Sequence, residues 1–396
     1  MRLAYVCLDP GVPVFGRKGS SIHCQEIMRA FEQRGYKVEL FAKRLGDDVP
    51  EDLKNVQSHQ IGGKLARQAD VREQELFGLN PAVEQALGAA GPFDLIYERY
   101  SLWSFSAIQF AYRRQVPSVL EVNSPLIEEQ KTFRSLIDEP KAILARNYCF
   151  RHAGSLIAVS EQVADRIRTI DVARHKIHTV PNGVNCDAFA HVSNMRASQA
   201  DDDSRPLVIG FVGTLKPWHG VNVLLDAFAL LRESNTNVVL KIVGTGPEEQ
   251  NLKEHLAQFP ASVQESVQWL GAIPNAEMPN VLSTLDIAVA PYPNLADFYF
   301  SPLKIFEYMA AGCAVVASQI GQIPQLISQD KTGLLVEPGC SNELAASLKT
   351  LCVDAPRRRR LGRAARAEVE ANHSWNRVVD RILAITAKAK PHCEAI

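Results

Sequence analysis

Residues 301–312 read Ser-Pro-Leu-Lys-Ile-Phe-Glu-Tyr-Met-Ala-Ala-Gly, which sets a lysine near the start of a helical segment and a carboxylate one turn later. Ser301 is a good N-cap, Pro302 suits the first helical position and Gly312 the C′ position, so the spacing predicts a helix of about ten residues. Free amide hydrogens and the positive dipole end at such a start attract an anion, and the Lys304 ammonium adds a full charge. From Pro302 to Glu307 the axial rise is about 7.5 Å, at ~1.5 Å per residue. That is about the separation between a diphosphate and the ribose hydroxyls of the same nucleotide. A carboxylate there accepts both hydroxyl protons, so one helix can hold two parts of a sugar nucleotide. The competing reading is a glutamate on a solvated helix face, which is where most helical glutamates lie.

Two glycine-bounded loops add to this pattern. Leu207–Val212 reads as a strand, Gly213-Thr214-Leu215-Lys216-Pro217-Trp218-His219-Gly220 as a loop, and Val223, Leu224, Ala227, Phe228 and Leu231 as the inner face of the next helix. Such a loop lets backbone approach a phosphate, with Lys216 and His219 as sources of positive charge, unless Lys216 is simply an exposed loop lysine. Lys241–Glu248 repeats the design with Gly244 and Gly246, but Glu249 stands where the third glycine of a dinucleotide fingerprint belongs, which disfavours a nicotinamide dehydrogenase.

These loops need a frame. Strand-length apolar runs alternate with helix-period segments: Leu3–Leu8, a helix from about Ser21 to Arg34, Val38–Ala42, Leu95–Tyr97, Ser118–Val122 and Ser155–Val159, with Ser160 as the N-cap of the following helix. The series restarts at Leu207 and continues through Val238–Val243, Val267–Leu270, Ile287–Ala290, Ala314–Ala317 and Gly333–Val336. Between the two series lies a polar, aperiodic stretch containing Asp201, Asp202 and Asp203, which reads as a linker and a solvated acidic run. Two doubly wound α/β domains joined near residue 200 are the economical architecture, with the ligand in a shared crevice at the strand carboxyl ends.

Bulk composition narrows the function classes. The chain has 396 residues, 46% hydrophobic and 22% charged, as in soluble globular proteins, and its length exceeds one ordinary domain. Lys+Arg 43 against Asp+Glu 44 leaves a net charge of −1, so no global field draws it to nucleic acid and an anionic partner must be held locally. The 8 cysteines show no CxxC pair and no zinc spacing, which points to a reducing compartment. Asp9 and Pro10 interrupt the first apolar run too early for a signal peptide, and no stretch reaches the ~18 apolar residues of a spanning helix. The expectation is a cytoplasmic protein, with membrane contact at most peripheral at the inner face. Arg357–Arg360, Arg363 and Arg366 make a basic helix that is either a solvated face or such a contact.

Taken together, Gly213–Gly220, Val243–Pro247, Leu270–Gly271, Asp286–Ala290, Ser301–Ser318 and Thr332–Pro338, in this order and spacing, resemble the donor domain of a retaining glycosyltransferase of GT-B fold, family 4. In the N-terminal half, Gly16 and Gly19 to His23 resemble that family's glycine loop, Ala158–Ser160 its strand-end serine, and Val180–Asn185 with Phe189 its pre-linker motif. His373-Ser374-Trp375 resembles the start of the closing helix. The resemblance implies a GT-B fold of two Rossmann-like domains facing across a cleft that narrows on donor binding. Residues 1–190 would form the acceptor-side domain, joined by a C-terminal helix at about 374–390 that crosses back to it, 191–206 the linker and 207–373 the donor domain.

By the same resemblance Glu307 falls on the ribose-binding glutamate of the E-x7-E signature, whereas the first glutamate position is Tyr299. Leu303, Lys304 and the amides around Ser301 would lie near the diphosphate, and the usual Arg and Lys of the phosphate clamp fall on Thr214 and His219, with Lys216 offset as a substitute. Gly19, Gly213, Gly244, Gly246, Ala272 and Ile273 complete the donor-side set. Asn123 occupies the place of a sugar-contacting histidine, or is a plain loop cap; with Lys216 and Glu307 it makes the catalytic set. Glu98 and Arg99, beside Asn123 and Ser124 on the acceptor side, either bind acceptor hydroxyls or form an internal ion pair. Glu128-Glu129-Gln130-Lys131 borders the same region.

The implied reaction moves a hexose or modified hexose from a uridine- or guanosine-diphosphate sugar to a hydroxyl, by metal-independent front-face transfer with retention. No cofactor is implied. The acceptor class stays open between a small molecule, a glycan and a lipid-linked compound. A catalytically silent sugar-nucleotide-binding protein is the alternative, motivated by Tyr299, Thr214, His219 and Asn123; a phosphorylase or epimerase on the same plan fits the motif set less well.

Overall fold

The computed structural model describes residues 1–192, 205–234 and 237–388. Its contacts divide the chain into two units. The first comprises Met1–Asn182, Tyr299–Ser301 and the helix Trp375–Lys388; the second comprises Gly183–Phe298 and Pro302–Ser374.

In the first unit β1 (Arg2–Cys7), β2 (Lys37–Ala42), β3 (Gln57–Gln60), β4 (Leu95–Arg99), β5 (Ser118–Val122), β6 (Ser155–Ala158) and β7 (Ile177–Thr179) form a parallel sheet of order β3-β2-β1-β4-β5-β6-β7. Its central strands are nearly continuous apolar runs because helices cover both faces of such a sheet. Three strand glutamates break the pattern and each has a partner. Arg2 donates to Glu39 at 2.5 Å, Ser104 to Glu98 at 2.7 Å, and His23 meets Glu121 at 2.7 Å.

The second unit holds β8 (Leu207–Val212), β9 (Val238–Val243), β10 (Val267–Gly271), β11 (Ile287–Ala290), β12 (Ala314–Ser318) and β13 (Leu334–Val336), all parallel, in the order β10-β9-β8-β11-β12-β13. In each sheet the order reverses beside the first strand, and at such a switch point the loops leaving the carboxyl ends diverge and make room for a ligand.

The structure adjusts the sequence expectations at several points. Gln57–Gln60 and Ile177–Thr179 are edge strands held by backbone pairing; the first has no apolar residue and so gives no periodicity to read. The division by contacts falls after Asn182, not near 190, because Val184 pairs with Ser374, Arg366 donates to the Phe189 carbonyl at 3.1 Å, and residues 183–192 thereby belong to the second unit. Most of the expected linker, with Asp201–Asp203, lies outside the described residues.

The closing helix packs in the first unit, where Trp375 meets the His23 ring edge-on at 5.0 Å and Arg34 pairs with Asp380 at 2.6 Å. Among the described residues seven cysteines are free thiols, and no helix is long and apolar enough to cross a membrane. In the basic helix Ala355–Asn372, Arg357 and Arg360 bind Asp330, and Arg366 binds Glu370, so much of that charge is engaged within the unit.

Candidate functional site

At the carboxyl edge of the second sheet, three loops lie side by side. Gly213 N–H donates to the Val243 carbonyl at 2.9 Å, Leu215 N–H to Thr245 at 3.0 Å, and Gly244 N–H to Gly271 at 2.7 Å. This explains the glycines without a ligand. A Cβ on Gly244 would stand 2.0 Å from the Gly213 carbonyl oxygen, and one on Gly246 would stand 2.2 Å from that of Leu215. Gly244 also has φ 127, a backbone conformation that glycine adopts at little cost. The loops are thus fixed to one another before any phosphate arrives. Ala272, exposed, and Ile273, half-buried, follow in the loop after Gly271.

The helix Leu303–Ala310 packs against β11, β12 and the helix Ala355–Asn372, and reaches the end of β8 through the Tyr308 side chain. Ile305, Phe306, Tyr308 and Met309 form its buried face, and the Tyr308 hydroxyl accepts from Val212 N–H at 2.7 Å, fixing the helix to the end of the strand. Leu303, Lys304 and Glu307 are half-buried, and Lys304 and Glu307, three residues apart, share a face. The helix is shorter than the sequence suggested and starts differently. Pro302 is its N-cap and no side chain caps the first turn. Ser301 instead accepts from Asn182 N–H at 3.2 Å through its hydroxyl and from the Asn182 side-chain amide at 3.0 Å through its carbonyl. Gly312 terminates the segment with φ 66, as expected.

Lys304 is the unusual group. Its Nζ is buried without a hydrogen-bond partner among the described residues, 4.2 Å from the Phe211 ring centroid and 5.4 Å from that of Tyr292. A Cβ on Gly213 would lie 2.7 Å from it. Two ring faces contribute about 2 kcal/mol each at best, against several kcal/mol to desolvate an ammonium. Burial accordingly pushes Lys304 down to about 7, with Glu307 opposing the fall. A cation held this way is half ready to lose its proton, and a bound anion would restore its charge.

The other expected cations behave differently. Burial, with repulsion from Lys304 and Lys216, lowers His219 to about 4, so the ring is neutral near pH 7 and its Nδ1–H donates to the Thr214 carbonyl. The sequence had offered His219 as positive charge; the structure makes it a loop brace. Thr214 is exposed, and Lys216, half-buried, lies 5.5 Å from the Trp218 ring centroid.

In the first unit the expected acceptor residues separate. Glu98 has no exposure and accepts from Ser104, and burial raises it to about 7, so it is a core group and not a ligand for hydroxyls. The alternative internal Glu98–Arg99 pair does not form either, because adjacent strand residues point to opposite faces. Arg99 lies 3.9 Å from Glu121 instead, in a cluster with His23. Asn123 and Ser124 follow β5, half-buried, with Asn123 beside Glu121 and helping to hold its charge. Gly19 opens the helix Gly19–Glu32, whose first turn has no side-chain cap. Tyr299 donates to Glu129 at 2.5 Å, and its ring lies 5.5 Å from the Arg166 guanidinium, so it packs where the signature carries a carboxylate. Sequence reasoning missed Tyr308 and the two rings about Lys304, because nothing in an aromatic's immediate neighbours reveals which distant group it will touch.

Two family models match the chain, Glycosyltransferase Family 4 over residues 17–188 and Glycosyl transferases group 1 over residues 206–354. The chain belongs to this glycosyltransferase family. Among its relatives is a D-inositol 3-phosphate glycosyltransferase of Salinispora tropica, 25% identical over 94% of this chain and 81% of the relative. In fold this glycosyltransferase is similar to the sucrose-phosphate synthase of Thermosynechococcus elongatus, at TM-score 0.73 and 20% identity, covering 98% of this chain and 99% of that one. It is also similar to Anabaena HepE solved in complex with UDP, at TM-score 0.72 and 19% identity over 98% and 100% of the two chains. The two parallel sheets are thus those of a GT-B glycosyltransferase.

Proposed function

We propose that this enzyme moves a hexose or modified hexose from a nucleoside-diphosphate sugar, uridine- or guanosine-linked, to a hydroxyl acceptor with retention at the anomeric carbon. One observation carries the reading: a buried ammonium without a hydrogen-bond partner among the described residues, at the uncapped start of a helix whose Glu307 lies one turn on. In this reading Lys304 and the first-turn amides take the diphosphate and Glu307 takes the ribose hydroxyls. The likeness to a fold solved with UDP supports the donor class.

The chemistry assigned to the site is electrostatic. The acceptor oxygen forms its bond to the anomeric carbon on the face from which the diphosphate leaves, the carbon–phosphate-oxygen bond breaks, and a leaving phosphate oxygen takes the acceptor's proton. Negative charge grows on the diphosphate as that bond breaks, and Lys304 stands fixed in place to meet it, with no reorganisation at the moment of reaction. The reading gives no step to a protein nucleophile or a metal ion.

The test is to incubate the protein with a panel of nucleotide sugars and record which nucleoside diphosphate is released. Glu307→Ala is expected to weaken donor affinity by ~1.5–3 kcal/mol, roughly ten- to a hundredfold, the usual loss for a charge-assisted hydrogen bond. Donor affinity and turnover within about twofold of wild type in that variant would overturn the ribose assignment.

A further inference from the structure

Tyr100 follows the carboxyl end of β4, with its side chain buried and its hydroxyl without a hydrogen-bond partner among the described residues. A buried phenol ordinarily finds a partner, so an orphaned one at this edge of a sheet calls for an explanation. Tyr100 lines a cavity of about 100 Å³ within the first unit, together with Arg146, Arg166, Thr169 and Ser124. Val122 and Ser124, which flank Asn123, both contribute to the wall. The rest of the lining is largely apolar and belongs to the core cluster of Phe150, Val163 and Ile167. The space exceeds what a single water needs and is of the order of one small charged substituent.

The polar inventory of this cavity is lopsided. Arg146 directs Nε and Nη2 to the side-chain oxygen of its neighbour Asn147, at 3.1 and 3.0 Å, and no carboxylate pairs with it among the described residues. Arg166 has its guanidinium 5.5 Å from the Tyr299 ring centroid. Burial lifts Tyr100 well above the usual phenol range, with Arg146 opposing, so its hydroxyl keeps its proton and can donate. Against the Arg146 and Tyr100 donors stands one carboxylate on the lining, Glu128, which is exposed. Guanidinium groups donate and never accept, so a neutral polyol, which must satisfy both kinds of partner, gains less here than an anion that only accepts.

We propose that this cavity is a subsite for the acceptor, and that it takes a phosphate or carboxylate group carried by that acceptor, bound by Arg146 with the Tyr100 hydroxyl as a second donor. The inference rests on the transferase reading for the word acceptor, but the anion site itself does not.

Inorganic phosphate titrated into the full chain, followed by calorimetry and by phosphorus NMR line width, tests the site directly. Lys304→Gln is expected to leave one phosphate-binding site, which Arg146→Gln weakens about tenfold or more and Arg146→Lys weakens less. Loss of all phosphate binding in Lys304→Gln, or phosphate binding unchanged by Arg146→Gln, would overturn the proposal. Turnover then gives the second arm, with paired acceptors that differ by one anionic group: glycerol 3-phosphate with glycerol, and glucuronate with glucose. The charged member is expected to be preferred, with its KM raised about tenfold in Arg146→Gln while affinity for the nucleotide sugar stays unchanged. The pair that responds separates a phosphate from a carboxylate substituent, and equal use of charged and neutral members counts against the subsite. Should no nucleotide sugar release its diphosphate, the transferase reading falls while the phosphate titration still decides the cavity.

Discussion

At the carboxyl edge of the first sheet the Glu121 carboxylate is met by His23 at 2.7 Å and by Arg99 at 3.9 Å, whereas at the same edge of the second sheet the Lys304 ammonium meets two aromatic rings and no hydrogen-bond acceptor among the described residues. Both groups are withdrawn from water. The first is paired within its own unit, and its partners hold its pKa below the usual carboxylate range although burial works the other way. The second has its pKa driven towards neutrality because Glu307 only partly offsets its burial. A paired buried charge serves the fold, and breaking it exposes the cost of the remaining partner. An unpaired one weakens the fold slightly and is retained where a ligand supplies the countercharge.

This contrast can be broken most sharply at Glu121. Glu121→Ala leaves His23 and Arg99 buried without their carboxylate and is expected to destabilise the protein by about 3–5 kcal/mol, read by urea unfolding. A loss below about 1 kcal/mol would mean that the cluster is not a structural pair. Lys304→Met is expected to do the opposite. Unfolding stability holds or rises, because an uncompensated cation is removed, while affinity for the nucleotide sugar falls by ~1.5–3 kcal/mol.

The same lysine predicts a pH dependence with a definite sign. Its pKa is about 7 in the free protein and higher when an anion is bound, so binding takes up a proton above pH 7. Affinity for a nucleotide sugar, whose diphosphate does not titrate in this range, is therefore expected to weaken as pH rises from about 7 to about 9, and to be flat in Lys304→Met. A flat profile in the wild type would remove Lys304 from the anion site. The smallest effect is expected at Lys216, whose ammonium lies over Trp218 near the surface: Lys216→Ala is expected to change donor affinity by less than about 1 kcal/mol, measured by calorimetry. A larger loss would restore it as the phosphate-clamp cation.

Much of the fold was legible from the chain because parallel strands in a covered sheet need apolar side chains on both faces, and β1, β8, β11 and β12 supply them as nearly continuous runs. The edge strands were not legible, since Gln57–Gln60 is held by backbone hydrogen bonds that any sequence can make. Ser160 was read correctly as an N-cap, its hydroxyl accepting from Val163 N–H at 3.2 Å, whereas Ser301 was read as one and is not. The local pattern is the same in both; what differs is that Asn182, far away in sequence, occupies the Ser301 hydroxyl and carbonyl. Glu98 failed for a similar reason, because a carboxylate in an otherwise apolar strand reads as a functional group until it is seen fully buried with Ser104 donating to one of its oxygens.

The sequence by itself determined the two strand–loop–helix series, the glycines of the loops after β8 and β9, and a cation and a carboxylate three residues apart on one helix face, because strand, turn and helix periods are local properties. Only the tertiary structure decided which cation is left to meet an anion. Lys216 rests on Trp218, His219 is neutral and braces Thr214, and Lys304 is enclosed by Phe211 and Tyr292. Burial and pairing are set by neighbours that arrive from remote parts of the chain, and it is burial without pairing that makes a charge available to a ligand.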